Sequence, residues 1–342
     1  RAESREHYFD FLRVFAAFAV MMLHVAAQNW YTNSVHSFEW QAFNFYDSVV
    51  RWAVPVFVMI SGALFLNPDK EIPIRKIFSK YIFRIFIAFV FWSFVYAARD
   101  FLKTEDIIKA AANFIRGHYH MWFLFMLTGL YIIVPFIRNI AASKILTRYF
   151  LILNFTFALI FPQSIKIISL FAEKYGVFVE KFVNGFHLYF IMGFTGYFLL
   201  GHVLNKIIFS RKMERVIYLS GLLGFAATIL ISALISLKTD TPQASFYGNM
   251  TVNVFFESAA VFLFFRKHFT RENKIIRTLS NYSFGAYLVH PAVIAALKKF
   301  GLNTLTFNPI FSVPVISVLV FAISFTISGV LNHIPVLKKY IV

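Results

Sequence analysis

The 342-residue chain contains no cysteine. That removes disulfides, thiolate metal sites and cysteine nucleophiles, and says little about compartment. Charge is scarce as well. Asp, Glu, Lys and Arg make up 14% of the residues, where a soluble domain carries roughly 25%. Acids are the scarcer half: 16 stand against 33 basic residues, a formal charge of +17. No low-complexity tract and no convincing internal repeat is visible, which weighs against a transporter built from inverted repeats. No His and Glu fall at a helical ligand spacing such as His-Glu-x-x-His, so no metal is expected.

Apolar surface is what the chain has in excess. It is 59% hydrophobic, includes 46 Phe, and has a mean hydropathy of +0.68. One soluble core of this length could not hold that surface, and lipid is the natural solvent for it. In a soluble protein a charge of +17 would prompt a search for nucleic acid. Here the basic residues sit in short clusters between apolar runs, so membrane topology explains them and no nucleic-acid partner is expected.

Runs long enough to cross about 30 Å of hydrocarbon fall at 8–30, 48–66, 78–98, 119–138, 148–170, 186–205, 214–237, 250–268, 280–299 and 308–331. Pro291 and Pro314 interrupt the last two, and neighbouring helices can absorb such kinks. Residues 1–30 look like a signal peptide, with Arg1 and Arg5 ahead of an apolar stretch and Val25-Ala26-Ala27 after it. Arg13 lies inside that stretch and nine more spans follow, so the segment reads as a retained first helix.

With the N-terminus placed in the cytoplasm, 21 of the 33 basic residues fall on that side and 11 on the other, with Arg13 left inside the first span. That bias predicts an even number of helices and both termini cytoplasmic. The expected fold is therefore an all-α integral membrane bundle of about ten helices surrounded by lipid. It forms one domain over 1–342 with no appended soluble domain. The external segments 31–47, 99–118 and 171–185 are long enough for short interfacial helices.

Ionisable groups in hydrocarbon are functional candidates by default. Asp10, Arg13, Ala17, Val20 and His24 are spaced 3, 4, 3 and 4 apart. Arg13 and His24 then lie about 20° apart around the helix axis and about 16 Å apart along it. Small residues between them leave a groove, and Asp10 reaches Arg13 at i, i+3. A guanidinium fork there could hold a phosphate or pyrophosphate, and an imidazole deeper in could act as general base. A donor with an anionic head and a long arm, such as a coenzyme A thioester, has the matching shape. Taken singly, Arg13 could snorkel to the headgroups beside Asp10, and His24 could be a hydrogen-bonded packing residue. Their common face favours the functional reading.

The segment Phe9-Asp10-Phe11-Leu12-Arg13 followed by His24 resembles the opening of the membrane-bound acyltransferase type 3 family. Phe57-Val58-Met59-Ile60-Ser61-Gly62 is similar to that family's second-helix Ser-Gly. His120-Met121-Trp122-Phe123-Leu124, with Tyr131 and Pro135, resembles its His-x-Trp-Phe-Leu segment, and Ser280 to Pro291 resembles its late Ser-x-Ser-Phe-Gly-x-Tyr-Leu-x-His-Pro motif. The branch with His-x-Trp-Phe-Leu is similar to O-acetyltransferases of enterobacterial common antigen and related surface polysaccharides.

The resemblance implies transfer of an acyl group, usually acetyl from cytoplasmic acetyl-CoA, to a hydroxyl of an extracytoplasmic or lipid-linked glycan. It implies a multi-pass protein of the bacterial cytoplasmic (inner) membrane. By the same resemblance His24 would be the catalytic base, with Asp10 beside it in the catalytic set, and Arg13 would hold the donor. The family often has an Arg-x-x-Arg pair at the cytoplasmic start of helix three. Here Tyr81 takes the first Arg position, Arg84 remains, and Lys80 stands in as a point charge.

Further candidates concern the acceptor. His120 and Trp122 could bind a sugar by hydrogen bonding and ring stacking, or Trp122 could belong to the interfacial aromatic belt. His290 could line the same cavity, or bond a carbonyl freed by Pro291. Glu257, with Asn253 one turn away, could face the substrate cavity and orient His24, hold an Arg, or merely glue helices together. The rival function is a transporter or lipid-linked glycan flippase, and a third is a non-catalytic partner of a polysaccharide synthase.

Overall fold

The structure, a computed structural model, describes residues 6–342, and no strand occurs among them. Arg1 and Arg5, counted in the charge bias, lie outside the described residues. In chain order the helices are α1 (Tyr8–Ala26), α2 (Phe38–Ser48), α3 (Ala53–Phe65), α4 (Ile74–Lys76), α5 (Phe83–Thr104), α6 (Ile107–Arg116), α7 (Trp122–Ala142) and α8 (Lys144–Asn154). They continue with α9 (Phe161–Phe171), α10 (Glu173–Asn184), α11 (Thr195–Lys206), α12 (Arg211–Thr239), α13 (Val252–His268), α14 (Lys274–Lys299), α15 (Pro309–Asn332) and α16 (Pro335–Tyr340). π-helical turns at Ile77–Ile82 and Phe155–Ile160 lead into α5 and α9.

Local chemistry sets many of these boundaries. Ser37, Asp106, Ser143, Ser210 and Asn273 cap α2, α6, α8, α12 and α14 by accepting backbone N–H groups that have no partner inside the helix. α5 and α12 stop at Glu105 and Asp240, both with φ of 54°, where the backbone turns left-handed and cannot continue the helix.

Among the described residues, seven helical stretches are long and apolar enough to cross a membrane: Tyr8–Ala26, Phe38–Phe65, Ile74–Thr104, Ile107–Ala142, Lys144–Phe171, Arg211–Thr239 and Pro309–Asn332. The chain is a multi-pass all-α membrane protein. The other three of the ten expected spans differ for physical reasons. α11 has only 12 residues, about 18 Å of rise, because the chain runs in turns from Gly185 to Phe194 and turns helical only at Thr195. α13 has 17 residues. α14 is long enough at 26 residues, but Ser280, Ser283 and His290 on its buried side lower its apolar content. α11 and α13 are buried over most of their length and α14 along its middle, between Ser280 and Ile294, so protein is the solvent there and the lipid requirement is relaxed.

The segments expected to carry short interfacial helices hold α2, α6 and α10. On α6 the side chains of Ile107, Ile108 and Ile115 face outward and only Ala110 is buried. Such a helix suits the headgroup boundary.

α1 is the hub of the bundle, packed on α3, α13, α14 and α15. α3 in turn lies directly on α11. A Cβ added at Gly62 would sit 1.7 Å from the Phe198 carbonyl oxygen, and one at Gly201 would sit 2.0 Å from the Met59 carbonyl oxygen. Only glycine lets two helix backbones approach so closely.

The prolines inside α14 and α15 have compensating partners. A proline inside a helix leaves the carbonyl four residues earlier without its usual donor. The Ile310 carbonyl, ahead of Pro314, accepts the Tyr46 hydroxyl at 2.6 Å. The Tyr287 carbonyl, ahead of Pro291, lies 2.5 Å from His290 Nδ1.

Candidate active site

α1 presents Arg13, Val20 and His24 to a single cavity of about 180 Å³. The 3.6-residue period that aligns them on one face is what makes this possible. Across the cavity stand Val54, Phe57 and Ser61 from α3, and His120 and Trp122 at the start of α7. Ser283, Phe284 and Tyr287 of α14 complete the wall. The lining is mainly apolar with a few polar groups, the usual character of a site for a small reacting group.

A second cavity, of about 590 Å³, opens on the other side of Arg13. Its walls carry Asp10, Asn67, Asp69, Lys70, Asn205, Lys206 and Asn281, so it is strongly polar. Arg13 lines both cavities and is the residue they share. Its guanidinium lies 3.5 Å from the buried carboxylate of Asp10. Lys206 pairs with Asp69 at 3.4 Å.

The loop after α3 that supplies Asn67, Asp69 and Lys70 is fixed from α7. Arg138 donates to the carbonyl oxygens of Phe65 at 2.6 Å, Asn67 at 3.2 Å and Lys70 at 2.8 Å. No sequence signal marks Arg138 as the clamp of this wall.

Around His24 the structure gathers three further imidazoles. The His24 ring stacks on His290 with centroids 5.1 Å apart and meets Tyr119 edge-on at 5.3 Å. His120 lies 5.4 Å from His290, and its Nδ1 is 2.9 Å from Nδ1 of His118. His118 stacks on Tyr96 at 4.2 Å. A carbonyl can only accept, so His290 Nδ1 carries the proton in its bond to Tyr287, and in the neutral ring Nε2 is the acceptor. The Nε2 atoms of His120 and His290 are buried with no protein partner among the described residues. The Tyr287 hydroxyl donates to the His120 carbonyl, tying α14 to the start of α7.

Two serines face the cavity, and each spends its proton on its own helix. Ser61 donates to Phe57 O at 3.1 Å and Ser283 to Ser280 O at 2.8 Å. Neither has the serine-to-base bond that activates a nucleophile.

Of the residues singled out by sequence, Asp10, Arg13, His24, His120 and Trp122 line the two cavities, and His290 touches His24 and His120 from behind. Asp10 lies 14 residues before His24 on one helix, about 21 Å away along the axis. It therefore partners Arg13 and cannot orient the imidazole.

Three candidates are not brought to the site. Lys80 is exposed on the π-helical turn, 5.9 Å over the Tyr81 ring. Arg84 donates to the Val342 carbonyl at 2.5 Å and lies over the Phe284 ring at 5.6 Å, without lining either cavity. Glu257 is fully buried between α12 and α13, bonded to the Thr228 hydroxyl. Asn253 donates to the same hydroxyl at 2.7 Å, and Gln163 of α9 donates to Asn253 at 3.1 Å. That network joins three helices and leaves Glu257 outside both cavities. Sequence reading also passed over the roles of Ser61 and Tyr287, although both lie inside segments it had marked.

The sequence profile of an acyltransferase family, described as an acyltransferase domain of type 3, matches residues 6–329. No curated protein and no solved structure matches the chain.

Proposed function

Because the chain belongs to the acyltransferase type 3 family and is a membrane acyltransferase, we propose that it moves an acetyl group from acetyl-CoA to a hydroxyl of a cell-envelope glycan. The acceptor is an extracytoplasmic or lipid-linked sugar, and the membrane is the bacterial cytoplasmic one. The observation that carries this reading is the shared position of Arg13, which borders the polar cavity on one side and the His24 cavity on the other.

The dimensions fit a coenzyme A thioester. The larger cavity offers Arg13, Lys70 and Lys206 as cations, with Asn67, Asn205 and Asn281 as amide donors, to a phosphorylated head. The smaller one takes the acyl end on a narrow arm. The rise of about 16 Å between Arg13 and His24 matches an extended arm of that kind.

In the transfer His24 accepts the proton of the acceptor hydroxyl while the hydroxyl oxygen bonds to the acyl carbon. The carbon–sulfur bond then breaks, and His24 returns the proton to the departing thiolate. Trp122 offers a ring face and His120 a ring nitrogen for the sugar. Bonding of the Ser61 and Ser283 hydroxyls to their own helices supports direct transfer over an acyl-serine. A flippase would have no need of a thioester-holding arginine, and the family match leaves that reading without support.

The test is to incubate the purified protein with labelled acetyl-CoA and to measure bound CoA and transferred acetyl separately. CoA retained by wild type and lost on Arg13→Ala supports the reading. A chain that binds no CoA yet moves a lipid-linked glycan across a vesicle membrane would overturn it.

A further inference from the structure

An apolar cavity of about 910 Å³ lies where α8 and the following π-helical turn face α11 and α13. At its upper end α8 is tied to the chain entering α11. Asn154 donates to the carbonyls of Ile191 at 2.5 Å and Gly193 at 3.3 Å. From there to the end of α11, Leu151, Ile152, Phe155, Val203, Phe255 and Phe256 form apolar walls.

The other end is basic. Lys144 and Arg148 stand one turn apart on α8, and His202 and Lys206 stand one turn apart on α11. Residues at i and i+4 share a helix face, so Lys144 and Arg148 on one side and Lys206 on the other flank one opening. His202 is only 9% exposed, and its Nδ1 is buried with no protein partner among the described residues. Lys206 is paired at 3.4 Å with Asp69 and is also a wall of the polar cavity beside Arg13.

Length identifies the occupant. From Lys144 to Thr156 the groove follows 13 residues of helix, a rise of about 18 Å. One leaflet of a bilayer supplies about half of its 30 Å of hydrocarbon. We propose that this groove holds one anionic phospholipid of the adjoining leaflet. Its acyl chains lie against Ile152, Phe155 and Phe256, and its phosphate sits between Lys144, Arg148 and Lys206. Because Lys206 belongs to both cavities, an occupied groove competes with Asp69 for that lysine and alters the wall of the polar cavity.

Native mass spectrometry of the full chain in detergent tests the assignment, with dioleoyl phosphatidylglycerol and dioleoyl phosphatidylcholine added at equal concentration. One phosphatidylglycerol per chain should survive activation that strips phosphatidylcholine. Lys144→Glu combined with Arg148→Glu should weaken retention about tenfold or more. Ile152→Trp, which fills the groove at an exposed position and leaves every charge in place, should weaken it as well. Lys299→Glu, on the last turn of α14, should have no effect. Equal retention of both lipids would overturn the proposal, as would a charge-reversed protein that holds phosphatidylglycerol like wild type. Displacement of the lipid by the same concentration of inorganic phosphate would show a bare anion site and overturn it too.

Discussion

Gly201→Ala and Gly129→Ala make the same chemical change and should have opposite effects. At Gly201 the new methyl would lie 2.0 Å from the Met59 carbonyl oxygen and 2.5 Å from its carbon. Ordinary contact begins near 3.4 Å, so α11 must retreat from α3 by about 1.4 Å. The obstructing atoms are backbone, which no rotamer change can move aside. Overpacking of a tight interior costs about 1–3 kcal/mol, and the upper end applies here. α3 also carries Val54, Phe57 and Ser61 into the His24 cavity, so acyl transfer should fall with stability.

At Gly129, on the exposed side of α7, a methyl meets nothing within 4 Å. Replacing an interior helix glycine by alanine then stabilises by about 0.5–1 kcal/mol. Denaturing-detergent titration of the purified variants, followed by far-UV circular dichroism and by transfer activity, gives both signs in one experiment. A Gly201→Ala protein as stable as wild type would show that the two backbones do not meet as described.

The remaining predictions concern the site. His24→Ala should lower acyl transfer by roughly 10²–10⁴ while CoA binding persists; near-wild-type transfer would remove His24 from the mechanism. Arg13→Lys trades a bidentate fork for a point charge, so KM for acetyl-CoA should rise well above any change in KM for the acceptor, and equal rises would place Arg13 elsewhere in the chemistry. Glu257→Gln keeps a partner for Thr228 and should retain activity and stability within about 1 kcal/mol. Glu257→Ala empties the space beside Thr228 and should cost roughly 2 kcal/mol or more. Loss of activity in a stable Glu257→Gln protein would return that residue to the site.

The α1 stripe was legible because a helix fixes its own geometry: once residues 8–26 are helical, Arg13 and His24 must share a face. The meeting of that face with His120 and Trp122 could be anticipated only through motif resemblance. Lys80 and Arg84 lie outside the two cavities because their placement depends on a π-helical turn and on a carbonyl 258 residues away, neither of which local spacing encodes. Glu257 could be read either way, since a buried acid in lipid signals a partner without saying which. The start of α11 was hidden for another reason. Residues 186–194 are as apolar as a span, yet none of them is buried, and hydropathy does not distinguish an apolar turn from an apolar helix.

Pro291 has no ionisable atom, yet it helps to set the direction in which a proton can travel behind His24. Lacking an amide hydrogen, it hands its backbone acceptor to the neighbouring ring, and that ring is left with its basic nitrogen turned the other way. A missing donor in the main chain thus acts as an orienting element for acid–base chemistry. Mapping only the titratable side chains of this pocket would omit the residue that decides how one of them is presented.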